Sequence, residues 1–290
     1  MHVRLSALVA ALAAVLVTTT SAAAAPGQYQ APRKYYLALG DSLAFGFELA
    51  KFDAELPNVT AASFDTGYVD DFAAAIHSVR PDVRVVNFGC PGETTSSYFT
   101  GCAWHAVKGL PLHDTYATAQ EAAALAFLNA HPGEVSPITI DLGANDVLGL
   151  AAGCNFVPSC LAQGAPAVLQ SISTNLSTTL AELRAAAPRG EIIVMEYYNP
   201  LYVVAPSTDA LLGQLNGVIA AAAAPYGARL ADAFPVINHN PAFPSEGASV
   251  CGLTGMCFPA PGGDIHPNDA GYALIAQRFW AASGYALLDG

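Results

Sequence analysis

The chain has 290 residues, with 11 lysines and arginines against 23 aspartates and glutamates, which gives a formal net charge of −12. This excess of negative charge disfavours a polyanionic partner such as nucleic acid and disfavours docking on anionic lipid. It leaves neutral small-molecule, lipid and carbohydrate substrates open, and the length suits one well-buried domain.

The first 25 residues have the pattern of a secretory signal peptide. His2 and Arg4 precede the apolar run Leu5–Val17, and the small residues of 18–25 offer cleavage sites. The apolar run is shorter than the ~20 residues of a membrane span, although an uncleaved signal anchor has the same layout. The sequence therefore predicts a signal peptide over 1–25, a tail over 26–34, one domain over 35–290, and a secreted, extracellular protein without stable membrane insertion.

Short apolar runs alternate along the chain with longer helical stretches, which is the pattern of a parallel sheet with helices on both faces. Prolines and glycines follow several of the helical stretches and mark their ends. The pattern predicts an α/β protein, a three-layer αβα sandwich with a flavodoxin-like, five-stranded parallel sheet. The predicted strands are Tyr35–Leu39, Val83–Phe88, Ile138–Leu142, Glu191–Glu196 and Ala228–Asp232; the predicted helices are Gly67–Val79, Tyr116–Ala130, Ala165–Ala186, Asp209–Ala224 and Asn268–Ala282.

Four polar segments stand where a predicted strand ends or a helix begins. Residues 40–43 (GDSL) follow the first strand, 87–95 (NFGCPGETT) the second and 143–146 (GAND) the third, and 264–267 (DIHP) precede the last helix. Because reacting groups of open α/β sheets lie at the carboxyl edge, we expect these segments to converge there. Taken alone, each segment is also ordinary turn or cap chemistry.

With these four segments in this order, the chain from Tyr35 to the C-terminus resembles the GDSL, or SGNH, hydrolase family. The resemblance implies that Ser42 is the nucleophile and His266 the general base. It also implies an oxyanion hole made by the backbone N–H groups of Ser42 and Gly92 and by the side-chain amide of Asn145. No cofactor and no metal are expected, and Asp41 and Asp146 are assigned to holding their loops.

The segment around His266 departs from the family pattern, which usually places an aspartate three residues before the catalytic histidine. That position is Gly263 here, and the nearby carboxylate is Asp264, two residues before His266. Two alternatives follow. Asp264 orients the imidazole and completes a triad, or a backbone carbonyl of residues 261–263 accepts the imidazole N–H and leaves a dyad.

The six cysteines fall into three local pairs along the sequence. A secretory signal makes disulfides the natural interpretation, and the cysteine and histidine spacings do not match a zinc site. Proximity is the simplest basis for pairing, although six cysteines allow many connectivities. The predicted disulfides are Cys90–Cys102, Cys154–Cys160 and Cys251–Cys257.

The sequence also contains two long connections, an aromatic stretch and several histidines outside the four segments. The connections 88–115 and 234–263 lack a period, and loops of such length are uncommon unless functional, so we expect them to line the substrate site. The aromatic stretch Tyr197–Tyr202 is assigned to the core. His105 stays undecided, and the remaining histidines outside the four segments are assigned to structural positions: His77, His113, His131 and His239.

The leading hypothesis is a secreted, monomeric serine esterase or lipase that acts on a small-molecule or lipid ester through an acyl-enzyme on Ser42. Within the same fold, a carbohydrate acetylesterase and a phospholipase are alternatives. From another class, a catalytically silent SGNH-fold binding protein is the competing hypothesis. The presence of Ser42, Gly92, Asn145 and His266 together argues against the silent form.

Overall fold

A computed structural model describes residues 29–102, 104–105, 111–257 and 263–287. The predicted signal peptide and the first residues of the predicted tail lie outside these ranges. Within them, no helix combines the length and the apolar character needed to cross a membrane.

The sheet has five parallel strands in the order β2-β1-β3-β4-β5, so the predicted flavodoxin-like sheet is confirmed. The chain adds β2 on one side of β1 and then β3, β4 and β5 on the other side, so the strand order switches between β1 and β3. Ligands of open α/β sheets bind at such a switch point, outside the carboxyl ends of the strands. The strands are β1 Tyr35–Gly40, β2 Arg84–Asn87, β3 Val135–Asp141, β4 Ile192–Glu196 and β5 Arg229–Asp232.

Two groups of helices cover the two faces of the sheet and complete the predicted three layers. The helices are α1 Ser42–Phe45, α2 Leu49–Glu55, α3 Tyr68–Val79, α4 Ser97–Thr100, α5 Gln120–Ala130, α6 Ala144–Gly153, α7 Pro158–Ala186, α8 Asp209–Ala223, α9 Phe234–Ile237, α10 Glu246–Leu253 and α11 Asp269–Ser283. Helices α3 and α11 pack on each other, whereas α7 packs on α5, α6 and α8. The main core lies between these layers and the sheet, and every residue of β3 is buried.

Some helix boundaries differ from the predicted ones. Helix α7 begins at Pro158 instead of Ala165 and continues through Pro166. A proline inside a helix removes a backbone donor and is normally found in the first turn, which is where Pro166 lies in the predicted helix. Helix α6 was not predicted. Asn268 caps α11, because its side chain accepts the Gly271 N–H at 3.0 Å.

The cysteines pair as sequence neighbours. Their Cα atoms lie 6.4, 5.5 and 5.1 Å apart in the pairs Cys90–Cys102, Cys154–Cys160 and Cys251–Cys257, each within the range that a disulfide spans.

Candidate active site

Ser42 stands directly at the carboxyl end of β1, as the first residue of the short helix α1. Gly40 ends the strand with φ +140°, and a Cβ built on it would lie 1.3 Å from Asp141 Oδ1, so only glycine allows β1 to approach β3 here. Asp41 then caps α1, because its carboxylate accepts the Leu43 N–H at 2.9 Å. These contacts fix the turn that presents the Ser42 hydroxyl.

His266 and Asp264 approach Ser42 from the far end of the chain. The Ser42 Oγ atom lies 2.9 Å from His266 Nε2, and His266 Nδ1 lies 2.5 Å from Asp264 Oδ1. Asp264 Oδ1 also accepts the His266 backbone N–H at 3.1 Å, and Oδ2 accepts the Leu49 N–H at 2.8 Å. The two-residue spacing thus forms a local turn in which the Asp264 side chain, rather than a carbonyl of residue 263, faces the imidazole.

The surroundings of Asp264 favour its ionised form. Burial alone would raise the pKa of this carboxyl. The hydrogen bond and the charge of His266, together with the N–H groups of Leu49 and His266, outweigh burial and hold the pKa of Asp264 below its ordinary value. Asp264 is therefore a carboxylate at neutral pH and can stabilise an imidazolium beside it.

The loop that carries Asp264 and His266 is fixed from two sides. The Gly255 N–H donates to the His266 carbonyl at 2.9 Å, and the Asp264 N–H donates to the Gly255 carbonyl at 3.1 Å. A Cβ on Gly255 would lie 2.5 Å from the Asp264 Cβ, so this approach requires glycine. From the other side, the Tyr198 hydroxyl donates to the Ile265 carbonyl at 2.7 Å.

The Cys251–Cys257 disulfide encloses Gly255, so we expect its loss to affect activity before it affects the fold. Replacing both cysteines by serine should cost about 2 kcal/mol of unfolding free energy, the value for closing so short a loop. Because the loop positions His266, kcat should fall at least threefold at temperatures where circular dichroism is unchanged. Removing the Cys154–Cys160 disulfide, which does not touch this loop, is the matched control. Equal losses of kcat in the two double variants would contradict the prediction.

Asn145 lies in the first turn of α6, beyond the carboxyl end of β3. Its side-chain nitrogen Nδ2 donates to Asp41 Oδ2 at 3.2 Å and to the Glu93 carbonyl at 3.0 Å. These bonds fix the amide between the loops that follow β1 and β2. Asn145, Ser42 and His266 line the same cavity.

Gly92 lies in the loop after β2 and adopts φ +80°, a backbone conformation that favours glycine. The loop contacts the end of β1, because the Cys90 N–H donates to the Gly40 carbonyl at 3.0 Å. Gly92 therefore lies between that contact and the Glu93 carbonyl that holds Asn145. It is not among the residues that line the cavity around Ser42.

The model of the GDSL-like lipase/acylhydrolase family matches residues 38–274. The chain belongs to this family. No curated protein sequence matches it. The family match spans all four polar segments, including the segment with the shifted aspartate.

Solved structures with the same fold include an esterase, a lipase and a phospholipase. An acetylxylan esterase from Geobacillus stearothermophilus is 19% identical, with 89% of this chain and 97% of that chain covered and a TM-score of 0.55. An extracellular lipase from Streptomyces rimosus is 17% identical, with coverages of 86% and 99% and a TM-score of 0.58. A phospholipase A1 from Streptomyces albidoflavus is 18% identical, with coverages of 86% and 99% and a TM-score of 0.56.

In this member of the GDSL-like family, three buried carboxyl groups lie at the ends of β1 and β3 and in the loop after β2, namely Asp41, Asp141 and Glu93. Burial raises the pKa of Asp41 to about 6 and that of Glu93 to about 7, and it raises the pKa of Asp141 well above its ordinary value. Asp146 accepts the Thr95 N–H at 2.9 Å and so holds its loop, as the sequence suggested for Asp41 and Asp146. These carboxyl groups therefore keep their protons to a higher pH than exposed carboxyl groups do.

The raised pKa of Glu93 predicts a pH dependence of stability. The folded state binds this proton more tightly than the unfolded chain, so the free energy of unfolding should fall as pH rises from 4.5 to about 7. We expect Glu93→Gln to remove up to about 3 kcal/mol of this decrease and to be more stable than the wild type at pH 8. Urea unfolding of the wild type and of Glu93→Gln at pH 5 and pH 8 measures the free energy of unfolding under each condition. A parallel pH dependence in the two proteins would contradict the prediction.

The cavity beside Ser42 has a volume of about 70 Å³ and a mostly apolar lining. Helices α6 and α8 and residues 197–201 after β4 provide most of this lining. The expectation that connections 88–115 and 234–263 line the substrate site is therefore wrong for this cavity within the described residues. In the first connection, Cys90, Cys102 and Leu112 pack instead with Phe45 and Phe64 in a separate apolar cluster.

The aromatic stretch after β4 lines the cavity beside Ser42 in addition to packing in the core, where the sequence placed it. Tyr197 and Tyr198 are indeed buried, but both line the cavity as well. The Tyr197 hydroxyl donates to Asp41 Oδ2 at 3.2 Å, beside the bond from Asn145. The signal available in the sequence was the position of these residues directly after a strand.

Gln120 is a further residue that sequence reasoning missed. Its side chain accepts the Gly40 N–H at 2.7 Å and donates to the Gly40 carbonyl at 3.0 Å and to Glu93 Oε2 at 3.2 Å. It thereby joins the end of β1 to the loop after β2. A single glutamine at the start of an apolar helix gives no sequence signal for this role.

The four histidines that the sequence assigned to structural positions have structural partners. His77 and His113 each place Nε2 within 2.9 Å of a backbone carbonyl, and His131 and His239 lie 3.5 and 3.9 Å from glutamates. Among the described residues, one group has ligand types that suit a metal, namely Cys90, Glu93 and Cys102. Its cysteines share a disulfide and offer no thiolate, so it does not fit a thiolate metal site, and freedom from cofactors stays a prediction.

Proposed function

We propose that this protein is a serine hydrolase that cleaves carboxylic esters through an acyl-enzyme on Ser42. The observation that carries the proposal is the continuous chain of contacts from Ser42 Oγ through both ring nitrogens of His266 to Asp264. A nucleophile, a base within hydrogen-bonding distance and a group that orients the base are the parts that acyl transfer needs.

In the proposed mechanism, His266 Nε2 accepts the hydroxyl proton of Ser42 as Oγ attacks the ester carbonyl carbon. Asp264 stabilises the imidazolium that forms and holds the tautomer with the Nδ1 proton. The tetrahedral intermediate collapses, and His266 donates the proton to the departing alcohol. A water molecule, activated by the same base, then attacks the acyl-enzyme and releases the carboxylic acid.

The oxyanion is proposed to receive N–H groups of Ser42 and Gly92 and the side-chain amide of Asn145. Asn145 Nδ2 already donates to Asp41 and Glu93, so its orientation is fixed before a substrate arrives. A donor held in this way needs little reorientation when charge develops, because only one of its hydrogen bonds has to change partner. The contact with Asp41 is the longer of the two and is the one that a substrate oxyanion would replace.

Replacing Asn145 by alanine should lower kcat by roughly 10²–10³ with little change in KM, because the amide acts where charge develops in the transition state. Steady-state kinetics on 4-nitrophenyl butyrate separate the two constants. A rise in KM with an unchanged kcat would show that Asn145 binds or caps and does not stabilise an oxyanion.

The lining of the cavity favours an ester with an apolar acyl group. Leu148, Leu211, Leu212 and Leu215 lie along it and offer hydrocarbon contact without hydrogen-bonding groups. A lipid or alkyl ester matches this chemistry better than an acetylated sugar, and the lipase and phospholipase A1 among the structural relatives support the same choice. Secretion is proposed on the three disulfides and on the likeness to an extracellular lipase.

The experiment that tests the function is pre-steady-state hydrolysis of 4-nitrophenyl esters by the purified protein. An acyl-enzyme predicts saturable turnover, with a burst of nitrophenol that does not exceed one equivalent per protein wherever deacylation limits the rate. Absence of hydrolysis across acetyl to dodecanoyl esters would contradict the proposal and favour the silent binding protein.

A further inference from the structure

The positive charge of this acidic chain is concentrated at one edge of the sheet, where the parallel strands begin. We call this edge the amino face. It comprises the ends of four helices and the residues that lead into each strand, namely 29–34, 76–84, 127–134, 183–191 and 220–229. These segments contain seven of the 11 lysines and arginines of the chain but three of its 23 aspartates and glutamates. The net charge of −12 speaks against a polyanionic partner for the molecule as a whole, yet this face is positive.

The three carboxylates of the amino face are neutralised within it. They form the ion pairs Asp82–Arg80 at 2.7 Å, Glu134–Lys34 at 3.1 Å and Glu191–Arg229 at 2.5 Å. The other four basic residues of the face take part in none of the ion pairs among the described residues, namely Arg33, Arg84, Arg184 and Arg189. Four positive charges therefore remain without a carboxylate partner.

Three of these four arginines are spread along the row of strand starts. Arg84 begins β2, Arg33 lies two residues before β1, and Arg189 lies three residues before β4. Because neighbouring strands are about 4.8 Å apart, the starts of β2 and β4 are roughly 14 Å apart across β1 and β3. Arg84 and Arg189 are exposed, and Arg33 is half-buried. The unpaired charges thus lie along a line.

A cavity of about 360 Å³ lies within the amino face, between the ends of α5 and α7. Arg33, His131 and Arg189 provide its polar side chains, and no carboxylate is among the described residues that line it. The cavity therefore offers guanidinium and imidazole donors to an acidic group. A guanidinium binds a sulfate or carboxylate group through two parallel hydrogen bonds.

The end of helix α7 does not cancel this positive charge. A helix C-terminus carries partial negative charge on its free carbonyls and ordinarily repels anions. Here the Arg184 side chain donates to the Ala187 carbonyl at 3.3 Å and to the Gly190 carbonyl at 2.7 Å. These carbonyls are occupied, whereas Arg84 and Arg189 lie beyond the helix ends and are free to bind a partner.

The amino face and the catalytic residues lie at opposite ends of the sheet. Ser42 follows β1, and the six residues of this strand, at about 3.3 Å each, place its two ends about 20 Å apart. The residues that line the cavity beside Ser42 belong to segments that follow strands. A partner on the amino face would leave that cavity open.

We propose that the amino face binds an acidic polysaccharide and thereby tethers the protein with its catalytic cavity facing away. A line of separate guanidinium groups fits an extended chain that carries repeated sulfate or carboxylate groups. A lipid surface fits less well, because the exposed apolar side chains Phe156, Val157 and Val204 lie in connections that follow strands, at the opposite edge. Secretion, proposed above, favours an extracellular polysaccharide over a nucleic acid. The inference does not depend on ester hydrolysis.

Fluorescence anisotropy with labelled dextran sulfate tests the binding. The wild type should bind at low salt, and Kd should rise with salt concentration, because each acidic group bound to an arginine releases counterions. The plot of log Kd against log salt should have a slope of roughly 0.7 per arginine contact, the value for a single-stranded polyanion. No binding of dextran sulfate at low salt, or equal binding of neutral dextran, would overturn the proposal.

Arginine substitutions test which surface binds. Arg84→Gln and Arg189→Gln should each raise Kd for dextran sulfate at least threefold, and the double variant should raise it at least tenfold. Both side chains are exposed and form no ion pair, so circular dichroism should show an unchanged fold. Lys51→Gln, which removes the same charge from α2 outside the amino face, is the matched control and should leave Kd within about 1.5-fold. Equal weakening in Lys51→Gln, or unchanged binding in the double variant, would overturn the proposal.

Activity and competing partners test the tether. The value of kcat/KM for 4-nitrophenyl butyrate should stay within twofold when dextran sulfate saturates the protein, and a larger loss would place the polymer at the Ser42 edge and overturn the proposal. Tighter binding to phosphatidylglycerol vesicles or to a DNA duplex, at equal concentrations of negative charge, would also overturn it. If the wild type hydrolyses no ester, the binding measurements still decide the tether, so the two failures are distinguishable.

Discussion

Replacing Ser42 by alanine should lower kcat/KM for ester hydrolysis at least 10³-fold and leave the fold unchanged. The substitution removes the atom that forms the acyl-enzyme, while the oxyanion donors and the binding cavity remain and account for residual activity. The Ser42 hydroxyl pairs with His266 Nε2, and the His266 side chain is partly exposed to solvent. Removing the hydroxyl therefore leaves no fully buried polar group without a partner. Turnover of 4-nitrophenyl butyrate and thermal unfolding by circular dichroism measure the two effects.

Ser78→Ala is the matched control for this substitution. Ser78 is exposed on α3, and its hydroxyl donates only to the Ala75 carbonyl one turn away. We expect it to keep activity within twofold of the wild type. If Ser42→Ala retained more than about a tenth of the wild-type rate, equivalent to ~1.4 kcal/mol of barrier, Ser42 would not be the nucleophile.

Replacing Asp264 by asparagine should lower kcat by up to ~10⁴ while the protein remains folded. The amide is almost the same size as the carboxylate but cannot stabilise the imidazolium, and its NH₂ group favours the wrong tautomer of His266. Because the pKa of Asp264 lies below its ordinary value, the wild-type carboxylate supplies this stabilisation throughout the neutral range. Single-turnover kinetics would place the loss in the chemical steps.

Asp269→Asn controls for the loss of a nearby negative charge. Asp269 forms an exposed ion pair with Lys51 at 2.6 Å and does not contact His266, so its replacement should change kcat less than twofold. A decrease of less than about fivefold in Asp264→Asn, roughly 1 kcal/mol, would indicate a dyad whose imidazole relies on another acceptor.

The sheet and the convergence of the polar segments were predictable because both depend on local sequence. Strands such as β1 and β3 are short apolar runs that stop at glycine or aspartate, and the carboxyl ends of parallel strands share an edge whatever the rest of the chain does. The segment 264–267 identified His266 as the base and Asp264 as the nearby carboxylate, although its spacing departs from the family pattern. It could not decide between a carboxylate and a carbonyl, since that depends on how Gly255 approaches the loop.

The residues that sequence reasoning missed act through contacts between distant parts of the chain. Tyr197 bonds to Asp41 across 156 residues, and Gln120 bonds to Gly40 across 80. No periodicity or motif encodes such a pair. The walls of the cavity escaped prediction for the same reason, because α6 and α8 line it only once both pack against α7.

The central claim, that Ser42 is the activated nucleophile, is tested most directly by labelling the folded protein with a fluorophosphonate and locating the adduct by peptide mass spectrometry. The account predicts one adduct per molecule on Ser42, abolished in Ser42→Ala and strongly slowed in His266→Ala. No adduct, or an adduct on another residue of a protein that hydrolyses esters, would contradict it.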